Sequence, residues 1–225
     1  MSGPFDFLSP GIALEAVESA FGLAPDGSLF PYPSYVNRVY GLAAEDGSPY
    51  VAKFYRPGRW TEEAILEEHR FLLDCAEVEL PVVAPLPDLD GGTLPAFELE
   101  SGSETYRFAL FPKRGGRNFE PEGDGDWLRL GSLAGRLHAA GAKRPCLARP
   151  RLGPDLAKAN LSVLLPLVHP EFSGEFSELC LGVIEGTARE VLSQPLQRIH
   201  GDLHRGNILE RPGEGLVILD FDDMM

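Results

Sequence analysis

The sequence predicts a bilobal α+β fold. Three observations carry that prediction. The first half sets short strand-like apolar runs around one strong helix. Pro112-Lys113-Arg114-Gly115-Gly116-Arg117 then breaks the composition as a hinge does. The second half is helical until polar residues appear on short apolar runs near residue 200. The expected organisation is a first lobe over 1–111, a hinge over 112–118 and a second lobe over 119–225.

Residues 1–33 are turn-rich, with Pro4, Pro10, Pro25, Pro31 and Pro33. A short helix from about Ile12 to Phe21 fits between them, burying Ile12, Ala16, Val17 and Ala20. Tyr35–Leu42 and Tyr50–Tyr55 read as paired strands around a Glu45-Asp46-Gly47-Ser48 turn. Lys53 interrupts the second strand between Ala52 and Phe54. It either faces solvent on a half-buried strand or contacts nucleotide phosphates. On the second reading, Ser34–Tyr40 is the lid loop and its strand, although the glycine-rich G-x-G-x-x-G pattern is absent.

A helix is expected from an N-cap at Thr61 to about Ala76, with Glu62 and Glu63 suiting the positive end of its dipole. Its apolar residues are Ala64, Ile65, Leu66, Phe71, Leu72, Leu73 and Cys75, and at 100° per residue Glu68 falls among them. Glu63 and Glu67 fall on the opposite, wet side. A carboxylate on the apolar face needs a partner. A helix Glu that holds a strand Lys supplies one, so Glu68 is chosen over its neighbours; the alternative is a solvated Glu at the edge of the face. Leu94–Leu99 and Thr105–Phe111 are two further strands, joined by a turn over Glu100–Glu104. If the fold is that of a kinase, an adenine ring would sit against backbone near Phe111 to Lys113.

In the second half, Trp127–Ala140 places Leu130, Leu133, Ala134 and Leu137 at helical spacing, with His138 a packed residue at the edge. Leu152–Val168 is apolar but interrupted by prolines. Glu175–Ser193 is an amphipathic helix with Phe176, Leu179, Cys180, Val183, Ile184, Thr187, Val191 and Leu192 on one stripe.

The chemistry concentrates in Ile199-His200-Gly201-Asp202-Leu203-His204-Arg205-Gly206-Asn207-Ile208-Leu209 and Leu216-Val217-Ile218-Leu219-Asp220-Phe221-Asp222-Asp223. Both read as polar residues mounted on strands. The spacing of Asp202, Asn207 and Asp220 is what phosphoryl transfer needs. One carboxylate takes the proton of an attacking hydroxyl, while an amide oxygen and a second carboxylate hold Mg²⁺ against the phosphates of ATP. Gly-Asp and Gly-Asn pairs are also ordinary turn chemistry. Asp222 and Asp223 either assist the metal or are solvated or capping residues. A metal-dependent phosphoesterase is a poor fit, because its D-x-H and G-N-H-E elements lie on separate loops and here Asn207 is followed by Ile208.

The net charge of −14 disfavours nucleic acid and anionic membranes as partners. Three widely spaced cysteines without C-x-x-C indicate neither a disulfide framework nor a zinc site, and a reducing, cytoplasmic location is expected. No run approaches membrane-spanning length.

H-G-D-x-H-x-G-N followed by I-L-D-F-D-D resembles the catalytic loop and metal-binding Asp of the aminoglycoside phosphotransferase/choline kinase group, relatives of the protein kinases. Val51–His69, Ser34–Tyr40 and Phe108–Arg117 resemble the corresponding stretches of the bacterial stress response kinase A family. The resemblance implies a protein-kinase-like fold, ATP and Mg²⁺ as cofactors, and Ser/Thr protein kinase activity. By residue, it implies Asp202 as base, Asn207 and Asp220 on Mg²⁺, Lys53 on phosphate oxygens held by Glu68, and His200 supporting the loop. His204 is a frequent member of the motif without an assigned step. The favoured partner is a protein Ser/Thr. A small hydroxylated molecule such as an amino alcohol or aminoglycoside is the alternative, and a monomer is expected. The family continues in helices beyond the metal-binding Asp. The second lobe is therefore expected to be incomplete, the chain marginally stable, and a nucleotide-binding scaffold without turnover a further alternative.

Overall fold

The computed structural model describes residues 3–98, 105–211 and 213–225. The expected turn over Glu100–Glu104 lies outside the described residues.

Helix α1 (Pro10–Phe21) starts two residues earlier than expected. Ser9 caps it by accepting the Ile12 N–H, and Pro10 suits a first-turn position where no amide partner is needed. Ala13 and Val17 are its buried residues, whereas Ile12, Ala16 and Ala20 are only half-buried. Strand β1 (Pro25–Tyr32) follows, inside a region read as turns. Its prolines masked it. β1 is the outermost strand of its sheet, and an edge strand tolerates residues that donate no ladder hydrogen bond.

β2 (Arg38–Ala44), β3 (Pro49–Phe54), β4 (Ala96–Glu98) and β5 (Thr105–Pro112) complete an antiparallel sheet in the order β1-β2-β3-β5-β4. Period-two alternation sorts its faces. Tyr40, Leu42, Ala52, Phe54, Tyr106, Phe108 and Leu110 pack with Ala13 and Val17 of α1 in one core cluster. Val39, Lys53 and Ala109 are cross-strand neighbours and so point to the other face. That face receives α2 (Glu62–Glu77), capped by Thr61 as expected.

β6 (Arg117–Asn118), β7 (Ile208–Arg211) and β8 (Gly215–Ile218) form a second antiparallel sheet. Its first strand occupies the end of the segment expected to be a hinge. Phe71, Leu72 and Cys75 of α2 join Leu133 and Leu137 of α3 (Asp124–Gly141), Ile208, Ile218 and Phe221 in one core. One helix thus packs against both sheets. A bridge from Val82 to Ile218 adds a second link. No described helix is long and apolar enough to cross a membrane.

Two expectations are corrected. Glu67 is buried, not wet: its carboxylate accepts the N–H of Leu147 (2.7 Å) and Ala148 (2.8 Å) and the Cys146 thiol. His138 is exposed. The proline-interrupted stretch forms α4 (Pro154–Leu164) and a short 3₁₀ turn. Helix α5 (Ser173–Leu192) forms as expected, but its apolar stripe is not covered. It packs on α4 and buries none of its residues; Leu179 is 68% exposed.

Arg198 fastens the end of α3 ahead of the catalytic stretch. It donates to the carbonyls of Gly141 (3.3 Å) and Ala140 (3.2 Å), pairs with Asp74 at 2.7 Å, and stacks over Phe71. A Cβ on Gly141 would lie 2.1 Å from the Arg198 carbonyl oxygen. Gly141→Ala must displace this backbone and is expected to lower stability by on the order of 1–3 kcal/mol in denaturant titration.

His69 ties α2 to the sheet. Its Nε2 is 2.8 Å from the Tyr55 hydroxyl and its Nδ1 is 2.8 Å from Thr93 Oγ1. Burial first, then the Lys53 and Arg149 charges, push its pKa down from 6.5 to about 3. A depressed folded-state value means stability that is complete above 6.5 and declines as pH falls toward 3. Chemical denaturation measured from pH 7 to 4 is expected to show a shallower decline for His69→Gln than for the unsubstituted chain.

Candidate active site

Lys53 and Glu68 meet because of two periodicities. Ala52 and Phe54 face the α1 core, which turns Lys53 toward α2. The phase of α2 turns Glu68 back toward β3. Lys53 Nζ lies 3.0 Å from Glu68 Oε1, and Tyr55 OH donates to the same oxygen at 3.3 Å. Both side chains are buried, so the solvent-facing alternatives for each do not hold.

Two further partners were not legible in the sequence. Arg149 Nη2 reaches Glu68 Oε2 at 3.1 Å. Asp222 Oδ1 sits 3.2 Å from Lys53 Nζ. Asp222 is neither solvated nor a helix cap. It also accepts from Asn37 Nδ2 at 3.0 Å and pairs with Arg59 Nε at 3.1 Å. Burial alone would depress the Lys53 ammonium. The facing Glu68, Asp222 and Asp220 charges outweigh it and hold the pKa well above the ordinary lysine value. Burial likewise opposes the Asp222 charge, yet Lys53, Asn37 and Arg59 bring its carboxyl below the usual range. Asp223 pairs with Arg59.

The stretch from Ile199 to Asn207 is a loop rather than a strand. Ile199 exchanges backbone hydrogen bonds with Met225 (2.9 and 3.2 Å), and a 3₁₀ turn covers Arg205–Asn207. His200 lies beneath it. Its Nε2–H donates to the Leu219 carbonyl at 2.8 Å, and its Nδ1 accepts the Asp202 N–H at 3.3 Å. This pattern needs a neutral ring with the proton on Nε2. Burial is the main reason the His200 pKa is lowered. Gly201 has φ +83°, and a Cβ there would lie 1.8 Å from the Asp223 carbonyl oxygen, so the loop crosses the Asp220–Asp223 segment at backbone contact.

Asn207 Nδ2 donates to the Asp202 carbonyl at 3.0 Å, which leaves Oδ1 as its outward acceptor. Leu219 N–H donates to the Asn207 carbonyl at 2.9 Å, fixing the spacing of the two segments. Asp220 adopts the left-handed region at φ +55°, and its Oδ1 stands 3.6 Å from Lys53 Nζ. His204 Nε2 is 3.5 Å from Asp202 Oδ2, while its Nδ1 accepts the Gly206 N–H. Among the described residues no three His, Cys, Asp or Glu side chains are placed to hold a metal alone. An Asn oxygen and one carboxylate instead suit a hard cation that takes its remaining ligands from phosphate and water, as Mg²⁺ does.

A cleft of about 710 Å³ unites these groups. Lys53, Glu68, Asp202, His204, Asn207 and Asp220 all line it; His200 supports it from below. Val39 and Val51 line it from the first sheet, Leu209 and Ile218 from the second. The expected lid residues Ser34 to Asn37 form its rim, with Asn37 Oδ1 also accepting the Arg56 N–H. Arg114 lines the cleft, and Arg117 pairs with Glu210.

Comparison with known proteins identifies the family and the fold. The profile described as "Phosphotransferase enzyme family" matches residues 31–225. Stress response kinase A of Escherichia coli K12 is 35% identical over 96% of this chain. The serine/threonine protein kinase RdoA of Salmonella typhimurium is 35% identical over 97%. The chain spans 65% of the length of each. Among solved structures, amicoumacin kinase hAmiN in complex with AMP-PNP, Ca²⁺ and Ami superposes with a TM-score of 0.75 at 18% identity, over 95% of this chain and 64% of its own. A microcompartment-associated aminopropanol kinase superposes at 0.65 with 16% identity, over 96% and 70%. These two likenesses establish the shared α+β fold. With the matched profile spanning most of the sequence, the chain belongs to the phosphotransferase enzyme family.

Proposed function

We propose that this chain carries the nucleotide-binding and catalytic groups of an ATP- and Mg²⁺-dependent phosphotransferase, with a protein Ser/Thr hydroxyl as the favoured acceptor. The observation that supports it most is the convergence of the Lys53–Glu68 pair, Asp220 and Asp202 on one cleft. The stretch before the hinge supplies the first lobe (1–111) and the stretch after it the catalytic lobe (119–225).

Each residue takes a role that its surroundings support. Val39 and Val51 above, and Leu209 and Ile218 below, sandwich the adenine. Pro112 lacks an N–H and the Lys113 N–H is committed to the Pro49 carbonyl, so Arg114 offers the first uncommitted amide of the hinge. Lys53, held by Glu68, contacts phosphate oxygens. Asn207 Oδ1 and Asp220 hold Mg²⁺, which when bound neutralises charge on the phosphates. Asp202 accepts the proton of the attacking hydroxyl, with its backbone fixed on one side by His200 and on the other by Asn207. His204 borders that carboxylate and limits its rotation.

The protein acceptor is supported by the serine/threonine kinase name of a 35% identical relative. A small hydroxylated acceptor is the second reading, supported by the fold shared with an amicoumacin kinase and an aminopropanol kinase. A transfer assay with labelled ATP, offering a Ser/Thr-rich protein mixture and a panel of amino alcohols and aminoglycosides, separates them. Label in protein alone is expected; label in the small molecules alone would replace the favoured acceptor. Asp202→Ala is expected to cut turnover by about 10²–10⁴-fold while leaving ATP affinity within about twofold. Unchanged turnover would remove Asp202 from its role.

A further inference from the structure

Arg149 lies in the loop between α3 and α4, well outside the stretches that carry the family pattern. Its side chain is 0% exposed. A guanidinium so deeply buried is costly unless every donor direction is used. Here Nε donates to the Ala64 carbonyl at 2.7 Å, Nη1 to the Asp222 carbonyl, and Nη2 to Glu68 Oε2 at 3.1 Å. The planar group also stacks on Trp60, with Cζ 4.1 Å from the ring centroid.

These contacts share a direction. Two lie on consecutive turns of α2, at Ala64 and Glu68. The third is the backbone of the segment that carries Asp220. Glu68 therefore has one oxygen on Lys53 and the other on Arg149. Lys53 alone could pull Glu68 through a range of rotamers; a second cation on the far oxygen fixes the carboxylate plane. The Asp222 carbonyl, held by the same guanidinium, fixes the distance from α2 to Asp220.

We propose that Arg149 is a positioning residue that assembles the Lys53–Glu68 pair before nucleotide arrives and sets its distance from Asp220. It touches neither nucleotide nor acceptor and acts through Glu68 and the Asp222 backbone. The inference rests on the reading of Lys53 as a phosphate contact. It adds that the pair is constitutive, because α2 cannot shift against the segment after β8, whose Asp222 carboxylate faces Lys53, without breaking an Arg149 bond. Lysine at this position would keep the charge but could not span three acceptors in one plane.

The test is the affinity of the full chain for ATP with Mg²⁺ and for adenosine, in the unsubstituted protein, Arg149→Met, Arg149→Lys, Glu68→Gln and the Arg149→Met/Glu68→Gln double variant. Adenosine reports the apolar cleft alone. Arg149→Met is expected to weaken ATP about tenfold with adenosine affinity unchanged, Arg149→Lys to fall between, and Arg149→Met to add little in the Glu68→Gln background. Parallel loss of ATP and adenosine, unchanged ATP affinity with only a lower melting temperature, or additive losses in the double variant would overturn the proposal. If Arg149→Met does not fold, selective ATP loss in Arg149→Lys upholds it and unsubstituted-like affinity overturns it. A folded unsubstituted chain that binds adenosine but not ATP would overturn the phosphate role of Lys53, and this inference with it. Normal ATP binding with an Arg149 variant indistinguishable from the parent would overturn this inference alone.

Discussion

A lysine ammonium sealed between β3 and α2 is the constraint on which the rest of the arrangement depends. A buried cation must be matched by carboxylates with good geometry, or it becomes one of the costliest groups a fold can contain. Lys53 is matched by Glu68 from α2 and by Asp222 from the segment after β8. Each carboxylate then needs a cation of its own: Arg149 serves Glu68 and Arg59 serves Asp222. Asn37, at the root of the cleft rim, closes the chain by donating to Asp222. Three stretches far apart in sequence, residues 37–68, Arg149 and Asp222, are thereby held in one geometry. Removing a single member leaves each of its partners one contact short.

The charge count of this cluster bears on the chemistry. Lys53, Arg59 and Arg149 face Glu68, Asp220, Asp222 and Asp223, leaving one surplus negative charge. Asp220 is the most exposed member and the one turned into the cleft by a left-handed backbone. An anionic triphosphate would meet repulsion there. Asp220 and Asn207 would hold a divalent cation there, and its charge would offset that repulsion. On this account the need for metal follows from electrostatics already present in the fold.

Much of this was legible in the sequence, and for local reasons. Lys53 stood out because it broke a period-two pattern, and Glu68 because it broke a 3.6-residue one. The loop residues stood out by spacing. What was missed depended on partners remote in sequence. Glu67 has the phase of a solvated residue and is buried because the Cys146 thiol and the Leu147 and Ala148 amides dock on it. Arg149 sits between prolines without periodicity, and no local signal distinguishes it; its partner Glu68 is 81 positions away. Asp222 stood out beside Asp220, but only as a metal-assisting, solvated or capping residue, because its counter-charges, Lys53 on β3 and Arg59, lie far away in sequence. β1 was hidden by prolines that an edge strand accommodates. The α5 stripe was correctly read as amphipathic, yet amphipathicity states what a face requires and not what covers it.

The central claim is that Asp220 and Asn207 bring a metal to a nucleotide already positioned by Lys53. Calorimetric titration of ATP into the purified chain, with and without Mg²⁺, beside Asp220→Ala, tests it most directly. The account predicts tight binding only with Mg²⁺, lost in Asp220→Ala while the variant keeps a cooperative unfolding transition. Equal binding with and without the metal, unaffected by the substitution, would contradict it, as would a folded chain that takes up no ATP at all.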